Sequence, residues 1–363
     1  LLGVRFSDFF YPFPHQLFEF LAGWAQIGRT GIHQRLSVFT GISGDIYVHD
    51  TATHMRLIGV LLCQKFTAVF FAVDFNDTAV GLVWEQQLRN TGADGGMGTE
   101  ITRAVAKAGY KIVMACYRPE KAEKVKEMLV RDTGNPHIEV LGVDLSSLAS
   151  VAAFAEILLK RGDAVGLLMN NAGTMETERR ITEDGLERTV SVNYVAPYLL
   201  TRKLLPLMGE GSRIVNMVSC TYAIGHLDFP DFFLRGRRGG FWRIPIYSNT
   251  KLALTLFTIN LAARIRERGI VVNAADPGVV STNIITMHMW FDPLTDIFFR
   301  PFIRTPKQGA ATAIHLLLDE DAGKRTGTLN VNCHSKRLSG KYTGHVQMQE
   351  LWNRTEKIVE KWL

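Results

Sequence analysis

The stretch Thr91-Gly92-Ala93-Asp94-Gly95-Gly96-Met97-Gly98 constrains this chain more than any other. Its glycines let a backbone turn tightly and approach an anion closely. The residues that follow read as a helix over Gly96 to Ala108, which would turn its free amides and positive dipole end toward that anion. Glycine-rich turns are common, so the rest of the chain has to separate a phosphate loop from a plain one.

Downstream, apolar runs alternate with helical stretches. Strands are expected over Tyr110 to Cys116, Ile138 to Val143, Val165 to Met169, Arg213 to Val218, Ile270 to Ala275 and Thr328 to Asn332. Helices are expected over Pro119 to Asp132, Ser146 to Lys160, Leu186 to Met208, Tyr247 to Arg268 and Pro306 to Leu318. Pro119 suits a first helical turn, and Asp144 or Ser146 suits an N-cap. The strands are continuous apolar runs, as needed when helices cover both faces. This order predicts an α/β fold with a doubly wound parallel sheet.

The polar residues that interrupt the pattern gather where such sheets bind ligands, at the carboxyl ends of the strands. Asp144-Leu145 follows the third strand position, where a carboxylate can accept from an adenine amino group or simply cap a helix. Asn170-Asn171-Ala172-Gly173 follows the next strand, and its small residues permit close approach to a ribose. Asn193 sits in a helix, which disfavours Asn, and is placed to distort the helix or hold a water. Ser219 ends a further strand. Tyr247 and Lys251 lie at i and i+4 on one helix face. A phenol is a poor acid–base group at neutral pH, and a neighbouring ammonium is expected to lower its pKa. Pro277-Gly278 forms a rigid turn that leads to Thr282, a candidate partner for a nicotinamide amide.

Composition narrows the classes. The chain has 363 residues, 47% of them hydrophobic, a formal charge of +6 and a pI near 9.1. That basic excess suits an anionic ligand, and with no Lys/Arg run or nucleic-acid motif a nucleic-acid partner is not expected. Cys63, Cys116, Cys220 and Cys333 are widely spaced, so neither a metal site nor a disulfide framework is expected, and a reducing, cytoplasmic setting is the default. The early apolar stretches are interrupted by Gln64 and Lys65 or by Pro12, Pro14 and Glu19, and fall short of the ~20 residues of a membrane helix. At most a weak membrane contact is expected.

As an ordered set, TGADGGMG at 91–98, NNAG at 170–173, Asn193, Ser219, YSNTK at 247–251 and PGVVST at 277–282 resemble the short-chain dehydrogenase/reductase family. The resemblance covers roughly residues 91–360. IVMACYRPEKAE at 112–123, DPGVVST at 276–282 and LWNRTEKIV at 351–359 resemble its retinol dehydrogenase and protochlorophyllide reductase-like branch. The resemblance implies a Rossmann fold and hydride transfer between NAD(P) and a carbonyl or alcohol. It implies Tyr247 as general acid or base, Ser219 orienting the substrate oxygen, Lys251 lowering the tyrosine pKa and gripping the ribose, and Asn193 holding a relay water. Cofactor contacts are expected from Thr91, Gly92, Asp94, Gly96, Met97, Gly98, Arg118, Asp144, Leu145, Asn171, Ala172, Gly173, Tyr247, Lys251, Pro277, Gly278 and Thr282. No acid follows the second strand until Glu120, and Arg118 is placed to meet a 2′-phosphate, so NADP is expected over NAD. The family's NADP signature usually carries its Arg one position earlier, where Tyr117 stands. The aromatic stretches around Phe229 to Trp242 and Ile284 to Ile303 suit either a bulky hydrophobic substrate (retinoid-, steroid- or lipid-like) or packing and a subunit interface. Many family members form dimers or tetramers, so a homo-oligomer is in keeping. A dinucleotide-binding regulator or scaffold without catalysis is the competing function.

One departure stands out. The central strand should be apolar directly before Thr91. That place holds Trp84, Glu85, Gln86, Gln87, Leu88, Arg89 and Asn90, and the apolar run Val80 to Trp84 ends too early. Burying Glu85 and Arg89 costs several kcal/mol each unless they are paired. Residues 1–88 show no persistent helical or strand period, so the chain reads as an irregular N-terminal extension followed by one catalytic domain over 89–363. A shifted frame, a wrong start or a fusion would explain the prefix and the broken strand together. A genuine extension with an unusual strand is the alternative. On the first reading the catalytic centre rests on a destabilised sheet with impaired cofactor binding.

Overall fold

The computed structural model describes residues 87–233, 241–280 and 304–363, together with the backbone of four short strands before them. The chain divides into two compact units, Leu1–Val83 and Trp84–Leu363. In the first, β1 (Leu36–Thr40), β2 (Ile46–Asp50), β3 (Arg56–Leu57) and β4 (Val73–Asp74) pair antiparallel in chain order. Strand pairing thus exists in a stretch whose sequence shows no strand period.

The second unit is built on an eight-stranded sheet in the order β12-β11-β10-β9-β8-β5-β6-β7. Its strands are β5 (Gln87–Thr91), β6 (Lys111–Cys116), β7 (Ile138–Gly142), β8 (Leu167–Asn170), β9 (Arg213–Met217), β10 (Val271–Asp276), β11 (Leu329–Val331) and β12 (His334–Lys336). All neighbours are parallel except β12, which runs antiparallel to β11. Helices α1 (Gly96–Lys107), α2 (Pro119–Thr133) and α8 (Pro306–Leu318) bury their apolar stripes against one face through Ile101, Leu129 and Leu316. Against the other face lie α3 (Leu148–Arg161), α4 (Arg188–Val190), α5 (Ala196–Leu204) and α7 (Arg243–Arg264), with Phe154, Leu199 and Leu256 in a second core. The short α6 (Phe229–Phe232) and α9 (Gly340–Thr343) lie in connections, and α10 (Met348–Val359) adds Leu351 and Val359 to that second core. Among the described residues, no helix is long and apolar enough to cross a membrane.

The polar central strand forms. Gln87–Thr91 pairs with β6 on one side and β8 on the other, and all five of its residues are buried. Leu88 and Asn90 face α1, where Asn90 Nδ2 donates to the Gly98 carbonyl and to Thr102 Oγ1 at 3.1 and 3.0 Å. Arg89 lies between Val113 and Leu168 in the sheet, is fully buried, and reaches Asp163 at 4.0 Å. Its three guanidinium nitrogens have no hydrogen-bond partner, and burial pushes its pKa down to about 10. The strand therefore forms, and the cost expected of burying a charge in it falls on Arg89. Backbone pairing to two apolar strands holds it. Glu85 lies outside the described residues.

Two helices differ from their predicted form. The cap of α3 is Ser147, whose Oγ accepts from Ser150 N at 3.3 Å, in place of Asp144 or Ser146. The helix expected over Leu186 to Met208 is broken into α4, a π turn over Ser191–Val195, α5 and a 3₁₀ turn over Leu205–Leu207. Pro197 lies in the first turn of α5 and has no amide to continue an α-helical ladder, so the local widening to π geometry falls just before it. The helix carrying Tyr247 begins at Arg243 and ends at Arg264, with a 3₁₀ turn over Arg266–Arg268.

Candidate active site

Every described residue of the expected site stands at the carboxyl edge of the sheet or on a helix beside it. The glycine loop closes tightly: Gly92 has φ +60, and a Cβ on Gly98 would lie 2.1 Å from the Gly92 carbonyl oxygen. Gly95 is the N-cap of α1 and has no side chain to occupy the first helical amides. Those amides are left for an anion, and the dipole favours one there. Met97 packs beside Gly309 of α8, and Gly96 faces Pro306.

Thr91 locks this loop to the one after β8. Its Oγ1 accepts from the amides of Asn171 and Ala172, both at 3.0 Å, while Asn171 Nδ2 donates to the carbonyls of Thr91 and Gly92. Gly173 then passes close to the catalytic candidates: a Cβ there would lie 3.4 Å from Asn193 Oδ1 and 3.7 Å from Lys251 Nζ. Asn193 sits in the π turn. Its Oδ1 accepts from Thr174 N at 2.8 Å, and its Nδ2 donates to the Thr174 carbonyl and to Thr250 Oγ1. The asparagine ties the β8 loop to α7. Thr174 and Thr250 were not singled out in the sequence, since a threonine in a loop or helix carries no signal alone.

Tyr247 and Ser219 meet. Ser219, whose Oγ accepts from Thr221 N at 3.4 Å, bears on the Tyr247 phenol, and Lys251 Nζ lies 5.3 Å from the Tyr247 ring centre. Lys251 is buried and donates to the Met217 carbonyl at 2.9 Å. Burial pushes the Tyr247 phenol up to about 12, the Ser219 hydroxyl favours the phenolate, and Cys220 and Asp276 oppose it. The lowering expected from Lys251 is not among these influences, so burial prevails and the phenol holds its proton at neutral pH. Lys251 itself is pushed down to about 8 by burial, with Asp276 pulling the other way.

On the adenine side, Asp144 Oδ1 accepts from Ser146 N and Ser146 Oγ at 2.8 and 2.6 Å, so this carboxylate braces its own loop. Leu145 is buried, and its carbonyl accepts from Ser191 Oγ of the π turn. A cleft of about 340 Å³ opens beside Asp144, lined by Tyr117, Ser146, Arg180 and Arg188 among others. Arg118 is exposed at the start of α2, its guanidinium 5.8 Å from the Tyr117 ring centre. Burial, with Asp94 of the glycine loop beside it, pushes the Cys116 thiol up to about 12. Pro277 and Gly278 form the turn after β10, with Gly278 at φ +73 and Arg304 Nη1 donating to the Pro277 carbonyl at 3.2 Å. Arg304 is remote in sequence and was not foreseen. Thr282, and the aromatic stretch from Ile284 to Ile303, lie outside the described residues.

A tight glycine turn, open helical amides and a buried ammonium together fit a dinucleotide. The sequence profile of the short chain dehydrogenase family matches residues 90–230. Retinol dehydrogenase 11 of Homo sapiens is 34% identical over 266 residues, which span 72% of this chain and 82% of that protein. The chain belongs to the short-chain dehydrogenase family, in its retinol-dehydrogenase-like branch. Mouse retinol dehydrogenase 13 is 31% identical over 276 residues, 74% of this chain and 82% of its own. Among solved structures, L-sorbose reductase from Gluconobacter frateurii, complexed with NADPH and L-sorbose, superposes with a TM-score of 0.55 at 21% identity. It covers 68% of this chain and 94% of its own. A short chain dehydrogenase from Burkholderia cenocepacia in complex with NADP gives the same TM-score at 21% identity, over 68% and 96% of the two chains. These two establish the Rossmann fold. As a family member, the chain is a carbonyl–alcohol oxidoreductase.

Proposed function

We propose that the chain is an NADP-dependent dehydrogenase/reductase acting on a bulky hydrophobic carbonyl or alcohol. The observation that carries this reading is the buried Lys251 ammonium, bonded to the Met217 carbonyl, 5.3 Å from the Tyr247 ring centre and close to Gly173. A pure binding protein has no use for a phenol held beside a buried ammonium at that point.

The nicotinamide, when bound, gives or takes the hydride. The protein's own residues do the rest. Ser219 orients the substrate oxygen, and Tyr247 gives its proton to that oxygen in reduction or takes it in oxidation. Lys251, buried beside the Tyr247 ring, would hold the ribose hydroxyls. Asn193 keeps Gly173 and Thr174 in place beside Lys251, and with it the path by which water reaches the ammonium. The amides at the start of α1, braced by Thr91 and Asn171, would take the pyrophosphate, and Pro277-Gly278 would line the nicotinamide.

Two finer points have their own support. NADP is favoured because Arg118 is exposed at the end of β6 with no carboxylate at 116–119 to claim a ribose hydroxyl. A hydrophobic substrate is favoured because Ile224, Trp242 and Ile244, on the segments flanking Ser219 and Tyr247, are all at least half exposed. The relatives' names, which specify retinol, point the same way.

The test is NADPH oxidation with all-trans-retinal and with a short polar ketone, in wild type and Arg118→Glu. Turnover confined to the hydrophobic aldehyde, with NADPH affinity falling at least tenfold in the variant while NADH affinity holds, supports the reading. Preference for the polar ketone would contradict the substrate class, and unchanged NADPH affinity would contradict the role of Arg118.

A further inference from the structure

Asp276 ends β10 with 2% of its surface exposed. Its neighbour Ala275 pairs with Met217 of β9, and Val218 N donates to the Ala275 carbonyl at 2.9 Å. Met217 is the residue whose carbonyl holds the Lys251 ammonium, and Ser219 lies just beyond it. The carboxylate is therefore placed at the strand edge that carries both the ammonium and the serine. Its Oδ1 accepts from Gly278 N at 2.9 Å, which anchors it in the turn after the strand. A buried carboxylate near a buried ammonium offsets the desolvation of both.

We propose that the Asp276 carboxylate is the buried counter-charge of the Tyr247–Lys251 couple, holding a proton on both side chains and so poising the site for carbonyl reduction. The titratable groups bearing on the couple, among the described residues, are Cys220 beyond β9 and Asp276 at the end of β10. Ser219 and Asn193 are its neutral polar neighbours. Asp276 is the charge that resists the desolvation of Lys251, and it disfavours the Tyr247 phenolate. Both effects keep protons in place. Reduction consumes the phenol's proton: the carbonyl carbon gains a hydride from NADPH, the carbonyl oxygen gains the proton, and water reprotonates the phenolate. Oxidation needs the phenolate first, which Asp276 opposes. Asp276 is a positioning residue in this account, since it acts through the side chains that meet substrate and cofactor.

The part concerning reaction direction rests on the carbonyl–alcohol reading of the site, whereas the counter-charge itself does not. The measurement is therefore made first without cofactor. Lysine labelled with carbon-13 at Cε is titrated by NMR from pH 6 to 10, with the Lys251 signal assigned by its loss in Lys251→Met. Asp276→Asn keeps an oxygen for Gly278 N and removes only the charge. The Lys251 midpoint should fall by about one pH unit in this variant, and an unchanged midpoint overturns the proposal. If Asp276→Asn does not fold, the wild-type Asp276 carboxyl carbon is followed instead. It should inflect at the Lys251 midpoint and lose that inflection in Lys251→Met, and a flat response overturns the proposal. In turnover, the alkaline-side rise of alcohol oxidation should move to lower pH in Asp276→Asn. A superimposable profile in Asp276→Asn, with loss only in Asp276→Ala, would reduce Asp276 to a turn-former and overturn the proposal. A shifted NMR midpoint in a chain that turns over no carbonyl would leave the counter-charge standing and count against the proposed function alone.

Discussion

Lys251 carries a clear electrostatic cost within the site. Its pKa falls from 10.5 to about 8 because the ammonium is buried. The sign follows from proton binding: between about 8 and 10.5 the unfolded chain holds the proton and the folded chain does not, so stability rises with pH across that window. Below about 8 the cost is fully present. Replacing Lys251 with Met and Asp276 with Asn together, which leaves no buried carboxylate unpaired, should thus stabilise the chain near pH 7 by about 2 kcal/mol, a desolvation gain of roughly 3 kcal/mol less the loss of one hydrogen bond. The gain should fade toward pH 10.5, and urea unfolding of both chains at several pH values would show it. A variant less stable than wild type at pH 7 would mean that the Met217 bond outweighs burial. A residue that weakens the fold and is kept in the crevice is the pattern expected of a functional side chain.

At the scale of elements, β5 is the informative case. Strand formation there follows from its neighbours, since backbone pairing to β6 and β8 does not consult the side chains of Gln87–Thr91. The side chains decide only the cost. Arg89→Met removes a buried guanidinium whose one ion-pair partner, Asp163, is 41% exposed, and should raise the melting temperature, corresponding to about 1–4 kcal/mol. A fall in melting temperature would show that the pair with Asp163 outweighs desolvation. The strands and helices with a clear period, such as β6, α2 and α8, were legible because both faces are apolar or one stripe is. The π turn was half legible: Asn193 and Pro197 marked a misfit helix but not its geometry. The cap of α3 was misplaced by a residue because Asp144, Ser146 and Ser147 are all good cap formers, and only the packing of the loop chooses among them. β12 and α10 were not foreseen as elements. The first is a short exposed edge strand, and the second is an amphipathic helix at the end of the chain, beyond the alternation that guided the reading. The candidate site was more legible than the fold around it, because Ser219, Tyr247, Lys251 and the glycine loop are marked by residue type. Asp276 and Arg304 were not, because a carboxylate at a strand end and an arginine beyond a long insertion have many bland uses.

For the whole molecule, the sheet, both helical layers and every described site residue belong to the unit Trp84–Leu363. We propose that this unit is the catalytic domain. A chain starting at Met followed by Trp84 should fold and bind NADPH within about threefold of the full chain, as read by nucleotide fluorescence. Loss of binding would show that residues 1–83 support β5 or the glycine loop. In the proposed function Tyr247 is the acid–base group of a working oxidoreductase. The most direct measurement compares NADPH binding and aldehyde reduction in wild type and Tyr247→Phe, at a pH near neutrality. NADPH affinity should be little changed and reduction lowered by about 10²–10⁴-fold, the span of a lost general acid. Reduction that survives the loss of the phenol hydroxyl would contradict it.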